Sequence, residues 1–215
     1  VCEIKYDKIK KSDDNSGTPA DPRLGTLDET PCETCKCDVH KCPGHFGHIV
    51  LAKPIIHPLD RFPQITANLL SCFCTHCNRI LLNREMLLIE KITRLSRSEK
   101  LDAIISLCNK LAVCCHCNQK TLKYKLDASS GRAKIFSQMK SLGGAEEAPV
   151  EIPVDKIYQI FSAVHDEDLK LMGIEPSQFH PKNLILRVLP VLPLRTMPYI
   201  VTDNEKREDD LMTFY

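Results

Sequence analysis

Cys32-Glu-Thr-Cys35-Lys-Cys-Asp-Val-His-Lys-Cys42-Pro-Gly-His45 is the stretch that decides how this chain folds. Its donors are spaced C-x2-C-x6-C-x2-H. A second set, Cys74-Thr-His-Cys77 and Cys114-Cys-His-Cys117, places two C-x2-C pairs on either side of 36 residues. Each set has the donor count and local spacing of a closed tetrahedral zinc site. Two cysteines separated by two residues reach one ion from a tight turn, and Gly44 is free to take the backbone angles such a turn demands. Four protein ligands leave no open position for water or substrate, so these ions are expected to hold shape and do no chemistry. Cys37 and His40 lie inside the first loop and are alternatives to Cys35 or His45. Cys115 adjoins Cys114, which leaves a one-residue shift open. More often, Cys2, Cys37, Cys72, Cys108 and Cys115 read as small buried hydrophobes or bystanders. His48 and His57 are expected to bond locally, and His116 to point away from the metal.

Working outward, the 215 residues suffice for one large domain or two small ones, and 43% hydrophobic with 27% charged residues is ordinary for a globular protein. The formal net charge of +1 gives no global basic field, so any nucleic-acid contact must come from local patches. The 12 cysteines sit mostly in local C-x2-C pairs with interleaved histidines, which favours metal in a reducing compartment over a secreted disulfide scaffold. No apolar run is long enough to span a bilayer and no signal peptide is evident, so no membrane partner is expected. The chain starts at Val1 without an initiator Met and stops at Tyr215, and we expect a piece of a longer protein. Neither H-E-x-x-H nor H-x-E…C-x-x-C is present, nor a Walker loop, nor G-x-S-x-G, so no active site is expected within this piece.

The patterning predicts an α+β, irregular, zinc-stabilised fold in five parts. Residues 1–20 are an extended lead-in with a weak strand signal at Val1, Ile4 and Tyr6. Residues 21–58 form the first zinc knuckle and an apolar exit strand, Ile49 to Ala52. Residues 59–118 start with a short helix carrying Pro63 in its first turn, then a helical hairpin closed by the second zinc site. Asn83 caps the first hairpin helix, whose apolar face is Met86, Leu87, Ile89, Ile92 and Leu95. Ser96 and Glu99 have capping-box spacing for the second, with Leu101, Ile104, Ile105, Cys108 and Leu111 along one face. Two helices of about twelve residues, each about 18 Å long, return the chain to its start and so bring Cys114 and Cys117 back to Cys74 and Cys77. Residues 119–150 read as a basic loop excursion. In 151–215 Asp155 caps a helix, Leu184 to Leu189 is a strand, prolines at 190, 193 and 198 hold the chain extended, and a charged loop ends the chain.

Several strings resemble one family. Asp21-Pro22-Arg23-Leu24-Gly25-Thr26, Cys42-Pro43-Gly44-His45-Phe46-Gly47-His48-Ile49 and Leu51-Ala52-Lys53-Pro54 with His57 look like the N-terminal part of the largest subunit of multisubunit DNA-directed RNA polymerases. Thr26 favours the RNA polymerase II type. Cys74-Thr-His-Cys77 with Leu81-Leu82 resembles half of the family's second zinc site. Leu189-Pro190-Val191-Leu192-Pro193, Arg195, Pro198 and Arg207-Glu208-Asp209-Asp210-Leu211 resemble the stretch leading into and across the lid loop. The resemblance implies the clamp core and head, two structural Zn2+, and a role in holding template DNA and the RNA–DNA hybrid during transcription. It implies assembly with other polymerase subunits, especially the second-largest, and contact with nascent RNA, with Arg195, Lys206 and Arg207 near nucleic acid. The family's catalytic Mg2+ is held by an Asn-Ala-Asp-Phe-Asp-Gly-Asp string that this sequence lacks, so the enzyme activity is that of the whole nucleotidyltransferase. The likeness to the polymerase II type makes the nucleus the expected location, and the compact second site, which resembles archaeal and viral versions, makes a viral factory or virion the alternative. The competing reading is a stand-alone zinc-binding adaptor for protein partners.

Overall fold

The computed structural model describes residues 2–6, 15–59, 61–90, 92, 95–129, 133–140, 148–198, 200–202, 205–207 and 209–210; for 97–98, 200–202 and 205–207 it describes the backbone. The chain divides into two compact units. One joins Val1–Lys53 to Arg187–Tyr215, and the other is Pro54–Leu186.

In the first unit regular structure is sparse, and the motif Asp21 to Thr26 organises what there is. Pro22–Leu24 is a single 3-10 turn with proline at its start, where the missing N–H costs nothing. Asp21 is fully buried and accepts from the Gly17 N–H, the Arg23 N–H at 2.9 Å, and Arg23 Nε and Nη2 at 2.9 and 2.7 Å. Burial alone would raise this carboxyl, but the Arg23 guanidinium and the two backbone donors hold it down at about 2. Leu24 is buried in a small core with Cys2, Ile4, Ala20, Val191, Leu194 and Met197. Strand β1 (Cys2–Glu3) pairs in parallel with the start of β2 (Gly47–Ile56), Cys2 opposite Gly47 and Glu3 opposite His48. A Cβ on Gly47 would lie 2.7 Å from Leu24 Cδ2 and 3.1 Å from the Cys2 carbonyl, so a larger residue would have to displace the buried Leu24 methyl and press on the β1 backbone. The sheet order is β1-β2-β6, with β6 spanning Ile185–Val191.

The second unit carries most of the helices. They are α1 (Phe62–Leu70), α2 (Arg84–Ile89), α3 (Arg97–Lys110), α4 (Val154–Ser162) and α5 (Asp166–Leu171). Strands β3 (Leu122–Asp127), β4 (Lys134–Met139) and β5 (Val150–Glu151) form an antiparallel sheet in that order. The core is larger and includes Leu69, Leu70, Ile80, Leu82, Ile104, Ile157, Phe161 and Leu169, with Phe73 edge-on to Phe161 at 6.4 Å. Proline sits in the first turn of α1, Asn83 caps α2 through the Met86 N–H at 2.8 Å, and Ser96 with Glu99 closes a capping box on α3.

Four expectations change. The hairpin of two twelve-residue helices is a six-residue α2 and a fourteen-residue α3. Because α2 ends at Ile89, the apolar stripe stops there: Leu87 is buried, but Ile89 is 75% exposed. The basic excursion at 119–150 contains the β3–β4 pair, with Leu122 opposite Met139 and Leu126 opposite Ile135. Its strand signal is the alternation Leu122-Lys-Tyr124-Lys-Leu126, hidden by the lysines on its outer face. Asp155 caps nothing: Pro153 occupies the N-cap of α4, extended at ψ 137°. Finally, the terminal loop holds two antiparallel strands, β7 (Ile200–Thr202) and β8 (Glu205–Arg207), Ile200 opposite Arg207 and Val201 opposite Lys206.

Candidate metal centres

Three C-x2-C segments adopt one backbone shape. The first cysteine's N–H donates to the carbonyl five residues on, and the residue after the second cysteine donates back to the first cysteine's carbonyl. The distances are 2.9 and 2.8 Å for Cys32/Cys37 and Lys36/Cys32, 2.9 and 2.9 Å for Cys74/Arg79 and Asn78/Cys74, and 2.8 and 3.0 Å for Cys114/Gln119 and Asn118/Cys114. Lys36, Asn78 and Asn118, at φ 59°, 54° and 55°, are the only non-glycine residues with positive φ among the described residues. A left-handed residue turns the chain so that two thiols separated by two residues present themselves together. Asparagine tolerates that region better than other non-glycine residues, and lysine does not share the advantage.

In the second unit two such knuckles face each other. Short bridges, Phe73 to Ile80 and Val113 to Lys120, flank them. Cys74 Sγ lies 3.5 Å from Cys117 Sγ, and Cys77 Sγ lies 3.8 Å from Cys114 Sγ. The fourteen-residue α3 carries the chain to the second knuckle. Its end is tied down by Lys140 Nζ, which donates to the Cys108 and Leu111 carbonyls at 3.0 and 2.8 Å, and by Thr121 Oγ1 to Leu111 at 2.6 Å. The first knuckle is pinned by Asp168 of α5. This fully buried carboxylate accepts from Arg79 Nε and Nη2 at 2.8 and 3.1 Å and from the Ile80 N–H at 3.0 Å.

In the first unit one knuckle meets a different half. Asp38 caps the turn through the His40 and Lys41 N–H groups at 3.1 and 2.9 Å, and its carbonyl accepts from the Cys42 N–H at 2.9 Å. The Gly44 N–H donates to Cys42 Sγ at 3.4 Å with Gly44 at φ 82°, and Cys42 Sγ lies 3.8 Å from His45 Nε2. The Asp21–Thr26 motif cradles this loop: the Leu24 carbonyl accepts from the His45 N–H at 2.9 Å, and the Arg23 carbonyl accepts from Thr34 Oγ1 at 2.6 Å.

The structure thus gathers Cys32, Cys35, Cys42 and His45 into one group and Cys74, Cys77, Cys114 and Cys117 into another, with all donor atoms of each within 4.8 Å of one another. A tetrahedral zinc with Zn–S of about 2.3 Å places its sulfurs about 3.8 Å apart, so the donor sets fit that ion. Cys37, His40 and Cys115 belong to neither group; Cys37 Sγ turns to the Cys35 carbonyl at 3.5 Å, and Cys115 is exposed. Each group holds one lowered thiol beside raised ones. His45 draws the Cys35 thiol down to about 6 while burial raises Cys42, and burial pushes Cys77 up to about 12 and also raises Cys74. The backbone around Gln119 lowers Cys117.

Arg195 is exposed, and its Nη1 donates to the Cys42 carbonyl at 3.1 Å. The backbone of Lys206 and Arg207 lies in β8, and their side chains fall outside the described residues. Asp21 and Asp168, which hold the two centres in place, are absent from the expected site residues. Asp168 sits in an Asp-Glu-Asp run that reads as a solvated helix start. One overlooked signal was available: Cys-x-His-Cys-Asn occurs at 74–78 and again at 114–118, a five-residue repeat that marks the paired knuckles.

Among curated proteins, the chain is 34% identical over 219 residues to a probable DNA-directed RNA polymerase II subunit RPB1 homolog of Invertebrate iridescent virus 6, covering 97% of this chain and 21% of the relative. It is 32% identical over 227 residues to the DNA-directed RNA polymerase subunit Rpo1N of Methanocaldococcus jannaschii, covering 98% of this chain and 16% of that protein. It is 27% identical over 238 residues to the DNA-directed RNA polymerase II subunit RPB1 of Euplotoides octocarinatus, covering 100% of this chain and 48% of that protein. The chain therefore spans less than half the length of each. A family model described as RNA polymerase Rpb1, domain 1, matches residues 1–215. This chain belongs to the RNA polymerase Rpb1 domain 1 family.

Proposed function

We propose that this chain is the clamp segment of the largest subunit of a DNA-directed RNA polymerase and helps hold template DNA and the RNA–DNA hybrid during transcription. The match of the family model to all 215 residues carries this reading. Two preformed donor groups support it. In this reading Cys32, Cys35, Cys42 and His45 hold one zinc ion and Cys74, Cys77, Cys114 and Cys117 a second, and both are structural because each set closes the tetrahedron. Zinc supplies folding free energy there and no reaction step. Nucleotidyl transfer belongs to the assembled enzyme and its Mg2+, held outside this chain. The partners are the other polymerase subunits, the second-largest above all, with template DNA and nascent RNA. Arg195, Lys206 and Arg207 are the side chains assigned to the nucleic-acid side. The site of action is the nucleus, or a viral factory if the gene is viral. Among the described residues no helix is long and apolar enough to cross a membrane.

The test is photocrosslinking. A full-length subunit with a photoreactive residue at Lys206, assembled into an active polymerase, should crosslink to template or transcript. Full transcription with no nucleic-acid crosslink from this position would contradict the placement.

A further inference from the structure

Residues 191–195 meet the first metal loop at Gly44 and Cys42 and the segments on either side of it at Gly25 and Gly47. A Cβ on Gly47 would lie 3.5 Å from Val191 Cβ, one on Gly44 would lie 2.6 Å from Pro193 Cβ, and one on Gly25 would lie 4.0 Å from Leu194 Cβ. The fourth point is Arg195 Nη1, 3.1 Å from the Cys42 carbonyl. At Gly44 the approach is too close for any other residue, and its φ of 82° independently requires glycine. Val191, Leu194 and Met197 are buried in the same small core as Leu24. Strand β7 begins three residues after Met197.

Burial accounts for Val191, Leu194 and Met197. It does not account for Arg195, an exposed side chain that reaches the main chain of a metal ligand. Electrostatics does. Three thiolates and a neutral imidazole around a divalent ion leave one net negative charge. A guanidinium on the carbonyl of Cys42 places a permanent positive charge beside that centre and fixes the loop that carries Cys42 and His45.

We propose that Arg195 is a positioning residue of the first metal centre, and that through it ion binding there and the seating of the 191–198 segment that leads into β7–β8 are one linked equilibrium. The proposal rests on the reading that Cys32, Cys35, Cys42 and His45 bind zinc. Linkage is reciprocal: whatever strengthens the ion's hold steadies the segment, and whatever loosens the segment weakens the hold.

The test uses the intact chain, with zinc transfer to a competing chelator followed at both centres and assigned by Cys42→Ser and Cys114→Ser. Arg195→Ala should weaken zinc binding at the first centre by about 10- to 100-fold and leave the second unchanged. Arg195→Lys, which keeps the charge and one donor, should fall between. Hydrogen exchange across 191–198 should rise in Arg195→Ala and in Cys42→Ser. Unchanged affinity at the first centre, or equal weakening at both, would overturn the proposal. Elemental analysis of the unmodified chain separates the two failures. Absence of zinc at the first centre sinks the metal reading, whereas zinc held indifferently to residue 195 sinks the coupling alone.

Discussion

The two units solve one problem with different means. Among the described residues, the first buries seven hydrophobic side chains in its core and the second buries twenty-four. Both place four donors around one point and both pin the arrangement with a buried aspartate, Asp21 on Arg23 and Asp168 on Arg79. In the second unit, helices and a sheet surround the donors. In the first, the described donors sit among loops and single turns held by the Asp21 network, a short parallel strand pairing, scattered loop hydrogen bonds and a small apolar core. A small core rarely stabilises a fold without a staple, so the first unit should depend on its ion far more than the second.

The largest expected difference follows directly. Structural zinc contributes on the order of 10 kcal/mol in small peptides. Cys42→Ser should therefore abolish hydrogen-exchange protection through residues 21–53 and 187–198, while α1, α3 and α4 keep theirs. Cys114→Ser should release one ion and loosen both knuckles of the second centre, yet leave α4 protected through the Ile157 and Phe161 core. Equal collapse in both variants would break the contrast.

Next come the aspartates. Asp168→Ala strips the Ile80 N–H and the Arg79 guanidinium of their acceptor and should cost about 2–3 kcal/mol in denaturant unfolding. Asp21→Ala leaves the Gly17 and Arg23 donors without theirs and should cost a similar amount, expressed in the first unit alone. A loss below about 0.5 kcal/mol for either would show that solvent replaces the carboxylate.

Proton release sharpens the comparison further. His45 holds the Cys35 thiol down at about 6, so near neutral pH this donor meets the ion already largely ionised. Filling the all-thiol second centre, whose Cys77 is raised to about 12, should release more protons than filling the first. The sign follows: as pH falls, protons compete with the ion, and affinity should drop more steeply at the second centre. Calorimetry in buffers of different ionisation enthalpy reads the two numbers, and equal release would remove the distinction.

The smallest effect concerns the left-handed residues. Lys36→Gly relieves a positive φ that a lysine occupies at a cost of about 1 kcal/mol, so it should stabilise the first unit by up to that amount. Asn118→Gly should be nearly neutral, because asparagine already tolerates that conformation. Thermal unfolding distinguishes them.

The donor groups were legible from the sequence because metal chemistry is local. Two cysteines two residues apart close one turn, and no distant residue changes that. Two helix starts were legible for the same reason, at Asn83 and at Ser96 with Glu99, whereas the expected cap at Asp155 was displaced by Pro153. Helix ends were not: α2 stops at Ile89, and Ile92 reaches the core although the apolar stripe fails at Ile89. The β3–β4 pair was concealed because its lysines face water while Tyr124 and Leu126 face the core. Asp21 and Asp168 were invisible as anchors, since a carboxylate's role depends on donors brought to it by tertiary structure. For Asp168 and Arg79 the partners are 89 residues apart. Arg195 was expected only on the nucleic-acid side, and the structure gives it a bond to Cys42 that no local pattern announces.

Counting metal in the native chain tests the central claim most directly. Native mass spectrometry paired with elemental analysis should find two zinc ions per chain, with every cysteine alkylatable once the protein is denatured and the metal removed. One ion or none in folded protein, or a mass that shows cysteines joined as disulfides, would contradict it.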